Sequence, residues 1–254
     1  MRVVVLTKDV PNPSGLPPEI GPDFRLRRDE GGLDPSDEPG VAVALRVVEE
    51  QGGEVTAVSV GPEPAVRALR RALALGADGA ILVTDDALEG ADALATAKAL
   101  AAAISRRPFD LVIAGVESTD GATGTMPMAL AELLGVPSAT FARRVAVSAG
   151  RVSIERQTAS GYELIECALP ALVTVTAGAA EPRYPSLRET IAAKKTPVER
   201  LTLSDLGLAP ADVRAAHDVT AIEIAAQKKA GELVEDAAEA PGRIRRVLEE
   251  AKVV

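Results

Sequence analysis

Apolar residues in this chain come in short unbroken runs separated by amphipathic stretches. Residues 2–7 (RVVVLT), 54–60 (EVTAVSV), 79–83 (GAILV) and 110–114 (DLVIA) are continuous and rich in β-branched side chains. Runs of this length without alternation suit strands covered on both faces. The intervening stretches change period. In residues 36–51, Val41, Leu45 and Val48 recur about one helical turn apart. Residues 64–75, 91–104 and 122–134 also read as helices, the first and last closed by Gly76 and Gly135. Strands alternating with helices predict right-handed crossovers and a mainly parallel sheet with helices on both faces. Ligands of such sheets sit at the carboxyl ends of strands, near the point where strand order reverses. The loops after Thr7, Val60 and Ala114 are therefore the informative ones.

Two regions break the alternation. Residues 8–33 are rich in proline, glycine and charge and predict a long irregular loop or hairpin. After Pro137, residues 145–147, 152–156, 163–168 and 171–176 read as successive strands with turn signals at Ala149-Gly150 and Ser160-Gly161. They predict an antiparallel extension over about 142–176, joined to the parallel sheet. Core signal weakens beyond Gly178. Residues 218–242 are polar and alanine-rich, and 242–252 form a short amphipathic helix, a pattern expected of a C-terminal arm that packs on something else or stays disordered.

Composition narrows the chemistry. The chain has 254 residues, enough for one large α/β domain with appendages. Its net charge of −9 argues against nucleic acid and anionic membrane as partners. No run approaches the roughly 18 apolar residues of a membrane span, and the first ten residues are too short an apolar stretch for a signal peptide, so a cytoplasmic location is expected. The one cysteine, Cys167, lies in a strand-like run and reads as a small core residue. The one histidine, His217, lies in a polar segment. With these alone, a Ser–His–Asp triad or a Cys/His zinc site has few means of assembly. No catalytic residue and no metal ligand is predicted.

The strongest local feature is LVIAGVESTDGATGTMPMALAELLG, residues 111–135. A buried strand runs into Gly115, and Val116, Glu117, Ser118, Thr119, Asp120, Gly121, Ala122, Thr123, Gly124 and Thr125 follow as a loop of small and hydroxylated residues into a helix. Glycines allow close backbone approach, and a helix start favours an anion. The loop reads either as a phosphate cradle or as a capping turn at Ser118–Gly121, and the residues alone leave both open. It matches neither the Walker nor the dinucleotide fingerprint. Glu117 and Asp120 oppose a phosphate unless they bond backbone donors or face a ribose. A second candidate is Asp34, Pro35, Ser36 and Asp37, which also reads as a helix cap. A third is the strand end at Val60, beside Gly61-Pro62.

Four segments, in order, resemble the electron transfer flavoprotein beta family: the opening strand ending in Lys8; SVGPEPAVRALRRALALGADGAILV (59–83); the VIAGVESTDGATG loop; and ALPALVTVTAGAAEPRYPSLRETIAAKKTPVE (168–199). The last is the most specific. The similarity covers about residues 1–207, with a weaker QKKAG echo at 227–231. The resemblance implies an adenine-nucleotide α-hydrolase-like or Rossmann-like fold, with a nucleotide-binding domain over 1–207 and an arm over 208–254 that packs on a larger alpha subunit. It implies AMP in this chain as a structural nucleotide, meeting Leu6, Asp34–Asp37, Val60 and Gly115–Thr125. It implies FAD held mainly by the alpha subunit. Electrons would come from acyl-CoA or related dehydrogenases and pass to a quinone reductase. A partner-recognition loop is implied at about 181–198, with Leu187 as its exposed anchor and Arg183, Arg188, Lys194 and Lys195 around it. The residues alone favour the plainer reading, in which Leu187 begins an ordinary amphipathic helix with Ile191.

The chain departs from the family at several points. The Gly115–Thr125 loop is shorter and lacks an acidic run and a Gln before Thr123-Gly124. Glu117 stands where Gln is common, Asn12 where an acid is common, and Gln157 and Ala159 replace an acidic position in the hairpin over 156–163. Electron-bifurcating relatives carry a second FAD in place of AMP; the short loop of small residues favours AMP. A universal-stress-protein-like nucleotide sensor would share the sheet but leaves residues 140–254 without a role. An adenylating ligase would need a Ser-Gly-Gly loop where Lys8-Asp9-Val10-Pro11 stands.

Overall fold

The computed structural model describes residues 1–11, 19–181, 183–216, 219–223 and 234–253. Asn12, His217 and the 227–231 stretch lie outside the described residues. Contacts divide the chain into two compact units, Met1–Thr220 and Ala221–Val254.

The first unit is built on a nine-stranded sheet. Its strands are β1 (Arg2–Leu6), β4 (Glu54–Val60), β5 (Gly79–Val83), β6 (Leu111–Gly115), β7 (Ser138–Ser148), β8 (Arg151–Thr158), β9 (Gly161–Ala168), β10 (Ala171–Val175) and β11 (Glu199–Leu201), in the order β11-β5-β4-β1-β6-β10-β7-β8-β9. A separate antiparallel ribbon pairs β2 (Asp9–Pro11) with β3 (Gly31–Leu33), which gives the irregular 8–33 region its anchor points. Helices α1 (Glu38–Gln51), α2 (Val66–Leu75) and α5 (Leu187–Lys195) contribute to the core on one face of the sheet. Helices α3 (Ala93–Ser105) and α4 (Met126–Leu134) contribute to the core on the other. Both faces are therefore covered, as the unbroken apolar runs require.

Three predicted elements need correction. The strand over 171–176 belongs to the parallel sheet, not to the antiparallel extension: β10 pairs parallel with β6 on one side and with β7 on the other. Its five residues are all buried, the signature of a two-sided interior strand rather than a half-exposed hairpin strand. Within the nine-stranded sheet, antiparallel pairing is confined to β7-β8 and β8-β9, with the first turn made by Ala149 (φ 48°) and Gly150 (φ 71°). Helix α4 begins at Met126 rather than near 122, because Ala122 (φ 45°) and Gly124 (φ 61°) have left-handed backbone that a right-handed helix excludes. The 181–198 region, read as a loop, contains α5 and leads into the edge strand β11, which pairs parallel with β5.

Strand order reverses at β1. The chain moves from β1 outward through β4 to β5, then returns to add β6 on the opposite side of β1. The carboxyl ends of β1, β4 and β6 thus meet at the topological switch point.

The second unit contains α6 (Ala240–Glu250), in which no residue is buried. Ile244 and Val247, three residues apart on one side, are both exposed, and Arg245 pairs with Glu249 one turn on. Among the described residues no helix is long and apolar enough to cross a membrane.

Candidate functional site

Two loops are stapled together at the switch point. Asp34 is completely buried. Its Oδ1 accepts the Ser36 N–H at 2.9 Å and lies 2.8 Å from the Ser36 hydroxyl, while its Oδ2 accepts the Thr119 N–H at 2.8 Å. The Ser36 hydroxyl also lies 2.9 Å from the Glu117 carbonyl. Neither residue caps α1. The cap position belongs to Asp37, whose side chain makes no capping bond. The Asp34–Asp37 turn instead reads the backbone of the loop after β6.

Asp37 ties that turn to both strand ends. Its Oδ2 accepts the Lys8 N–H at 2.8 Å, just beyond β1, and the carboxyl also accepts from the Gly115 N–H at the end of β6. Burial, reinforced by the neighbouring Asp34 charge, pushes Asp37 up to about 8 despite these two donors. At neutral pH the site therefore carries one negative charge fewer than its sequence suggests. Gly115 is what permits the close approach. A Cβ there would stand 2.8 Å from Asp37 Oδ1 and 3.1 Å from the Ser36 carbonyl oxygen.

The loop's own carboxylate is neutralised from below. The Asp120 side chain is buried, with its Oδ1 2.5 Å from Lys8 Nζ and its Oδ2 2.7 Å from Arg28 Nη2. Burial pushes the Asp120 carboxyl up. The Lys8 ammonium, with Arg28 and the Ser118 hydroxyl, outweighs that and leaves it below the usual carboxylate range. Lys8 Nζ also donates to Ser118 Oγ at 3.0 Å and lies 3.6 Å from where a Gly121 Cβ would stand. Asp120 thus neither caps a turn nor confronts a ligand as a free anion. Glu117 is exposed, and its carboxylate lies 3.7 Å from the position a Gly124 Cβ would take.

Of the predicted site residues, Leu6 and Val60 stand on the α3/α4 face at the ends of β1 and β4. Pro35, Thr123 and Thr125 are exposed, Val116 is half-buried, and Ala122 and Gly124 supply the two left-handed residues that turn the loop ahead of α4. Thr7 and Ser59 stand next to Leu6 and Val60 but point to the opposite face. Their hydroxyls are buried and have no hydrogen-bond partner among the described residues. Sequence reasoning missed Asp9, Arg28 and Arg67. The charged pair Lys8-Asp9 directly after a buried strand was a usable signal. Arg28 and Arg67 meet their partners across 92 and 58 residues and left no local trace.

The second predicted surface is α5. Its start is set by a capping box, in which the Glu189 N–H donates to Ser186 Oγ at 3.3 Å and the Ser186 N–H to Glu189 Oε2 at 2.6 Å. Ala193 is its one buried residue, and Arg70 of α2 donates to the Ala193 and Thr196 carbonyls, fixing the helix by its carboxyl end. Leu187 begins the helix and is 77% exposed, beside exposed Tyr184 and Ile191. Arg188 next to it, and Lys194 and Lys195 in the last turn of the helix, are also exposed. Arg183 is engaged elsewhere, in a two-bond fork with Glu49 of α1 at 2.8 and 2.7 Å. It anchors the segment to the body of the protein. Cys167 packs half-buried against the core from β9.

The model of the electron transfer flavoprotein domain family matches residues 25–206. The electron transfer flavoprotein subunit beta of Mycobacterium tuberculosis is 38% identical over 264 aligned positions, covering 100% of this chain and 99% of the relative. That of Bacillus subtilis is 36% identical, covering 87% of this chain and 88% of the relative. The caffeyl-CoA reductase-Etf complex subunit CarD of Acetobacterium woodii is 36% identical, covering 83% and 81%.

Proposed function

The chain belongs to the electron transfer flavoprotein β-subunit family, and on that premise we propose that it is a non-catalytic electron-carrier subunit that binds AMP and pairs with a larger alpha subunit holding most of the FAD. The observation that carries the nucleotide reading is the junction at the switch point. Asp34, Ser36 and Asp37 bond the backbone of the β6 loop, and Gly115 is the residue that lets them. The residues present fit an adenine nucleotide. Leu6 and Val60 offer apolar strand ends, the loop from Gly115 to Thr125 is made largely of small and hydroxylated residues, and Asp120, one of its two acidic residues, is already paired with two cations. The flavin supplies the redox chemistry, and this chain's residues supply position and charge.

The surfaces suit a subunit that does not work alone. Tyr162 and Leu164 are exposed on β9, the last strand of the sheet, and Ile244 and Val247 are exposed on α6. We assign the arm over 208–254 to packing on the alpha subunit. Leu187, on the helix that also carries Arg188, Lys194 and Lys195, suits transient docking of acyl-CoA or related dehydrogenases: an apolar anchor fills a pocket while cations of the same helix steer approach. Electrons would leave to a quinone reductase, in the cytoplasm, in service of fatty acid β-oxidation.

The test is direct. The heterodimer is purified, denatured, and its released nucleotides identified and counted. One FAD and one AMP per heterodimer are expected. Two FAD and no AMP would replace the AMP assignment by the second-flavin arrangement. No flavin at all would refute the carrier reading.

A further inference from the structure

Below the nucleotide loop lies a chain of alternating charges that crosses from one element to the next. Arg67 of α2 forks onto Asp9, with Nε 3.3 Å from Oδ1 and Nη2 2.9 Å from Oδ2. The same guanidinium donates to the Asp29 carbonyl at 2.9 Å and the Arg28 carbonyl at 3.0 Å. Arg28 donates to the Asp9 carbonyl at 2.7 Å and to Asp120 Oδ2 at 2.7 Å. Lys8 closes the chain on the other oxygen of Asp120. Both carboxylates are nearly inaccessible, at 4% and 2% side-chain exposure. The three cations outnumber the two carboxylates, so this cluster is net positive in a chain of net charge −9.

We infer that Arg67 is a positioning residue for the bound nucleotide: it locks the segment carrying Arg28 onto α2, and Arg28 in turn holds the Asp120 end of the loop in its binding shape. The inference rests on the nucleotide reading above. Arg67 itself lies on a helix and touches no residue of the 115–125 loop in the contacts described, so its influence must pass through Asp9 and Arg28. Two backbone carbonyls of the 28–29 segment are bonded by the Arg67 guanidinium, which fixes where the Arg28 side chain starts. Lysine could replace its charge but not this fork geometry. Asp120 depends on Arg28 because burial disfavours its charge, and losing one of two cations weakens the hold on the loop.

The experiment uses the full heterodimer. Bound AMP is chased with excess labelled AMP, and exchange is timed for wild type, Arg67→Ala, Arg28→Ala, the double variant, and Arg25→Ala as a control. Arg25 lies on the same segment but pairs with exposed Glu89, away from the loop. Loss of a charged hydrogen bond predicts about ten- to a hundredfold faster exchange for either single variant. The double variant is expected to match Arg28→Ala, because two residues acting in series are not additive. Exchange from Arg25→Ala stays at the wild-type rate, as does release of the flavin from all variants.

Unchanged AMP exchange in Arg67→Ala overturns the inference, as does full additivity in the double variant. Equal acceleration of flavin and AMP release also overturns it, since that marks general loosening. If the alanine variants do not assemble, Arg67→Lys and Arg28→Lys are read by the same cycle and the same criteria. Absence of any adenine nucleotide from the wild-type heterodimer overturns the nucleotide reading itself and, with it, this inference, a result distinct from the others.

Discussion

Replacing Asp37 by asparagine should flatten the pH dependence of stability. The Asp37 carboxyl is raised from 3.8 to about 8, with burial the largest cause. Between these values the native chain holds a proton that the unfolded chain has released. Stability from this group is thus complete below about pH 4, falls as pH rises, and is fully lost above about pH 8. One group can contribute at most about 1.4 kcal/mol per pH unit, so between about pH 5 and 7.5 the wild type should lose on the order of 3 kcal/mol through Asp37. The asparagine variant has no such titration. Its amide nitrogen will face one of the two backbone N–H donors, from Lys8 or Gly115, at a penalty of about 1–3 kcal/mol, but that penalty does not change with pH. The slope therefore separates the two effects. Urea unfolding of wild-type and variant heterodimer, at one protein concentration and several pH values, gives the difference in stability directly. Titrations common to both, including any phosphate, cancel in that difference. A difference that stays flat across the window would show that Asp37 is ionised in the folded protein.

Three further outcomes are expected. Gly115→Ala forces a Cβ against Asp37 Oδ1 at 2.8 Å and a backbone carbonyl at 3.1 Å, so it should lower stability by about 1–3 kcal/mol and reduce the AMP recovered from the heterodimer, measured by unfolding and nucleotide content. Ser59→Ala and Thr7→Val remove buried hydroxyls that have no partner among the described residues; thermal unfolding should show each neutral or stabilised by about 1 kcal/mol, opposite to the usual effect of core changes. Leu187→Ala should raise the KM for a dehydrogenase donor by roughly tenfold or more while leaving the unfolding midpoint unchanged, because an exposed residue gives little to the fold; an unchanged KM removes the docking role.

The fold was legible where one element's pattern sufficed. β4 and β5 have the bounds that their apolar runs announce, because strands covered on both faces are built mostly from apolar residues. β10 shows where that reading ends. LPALVTV follows two hairpin strands in sequence, and its position there hides that it leaves them to insert between β6 and β7. Its lack of alternation was the available clue. The same division holds at the site. Gly115 and the hydroxylated loop stand out in sequence because they are a local composition. The cations that make Asp120 tolerable come from Lys8 and Arg28, and pairing over such separations is a property of the fold. Asp34 and Ser36 looked like helix caps, since a cap and a loop staple use the same short oxygen-bearing side chains.

The strand order also has a consequence for synthesis. β6, which leads into the Gly115–Thr125 loop, is an interior strand only because β10 covers its outer edge. Some 55 residues separate the two, and the ribosome must emit all of them before that edge is closed, about 3–11 s at ordinary elongation rates. During that interval a nascent chain presents LVIAG as an unpaired apolar edge, the kind of surface that recruits chaperones or pairs with a neighbour. Chains stalled before residue 171 are therefore expected to be cut by protease within or near β6, and chains stalled well past 175 to resist. Similar protection at both lengths would mean that another segment shields the edge in the meantime.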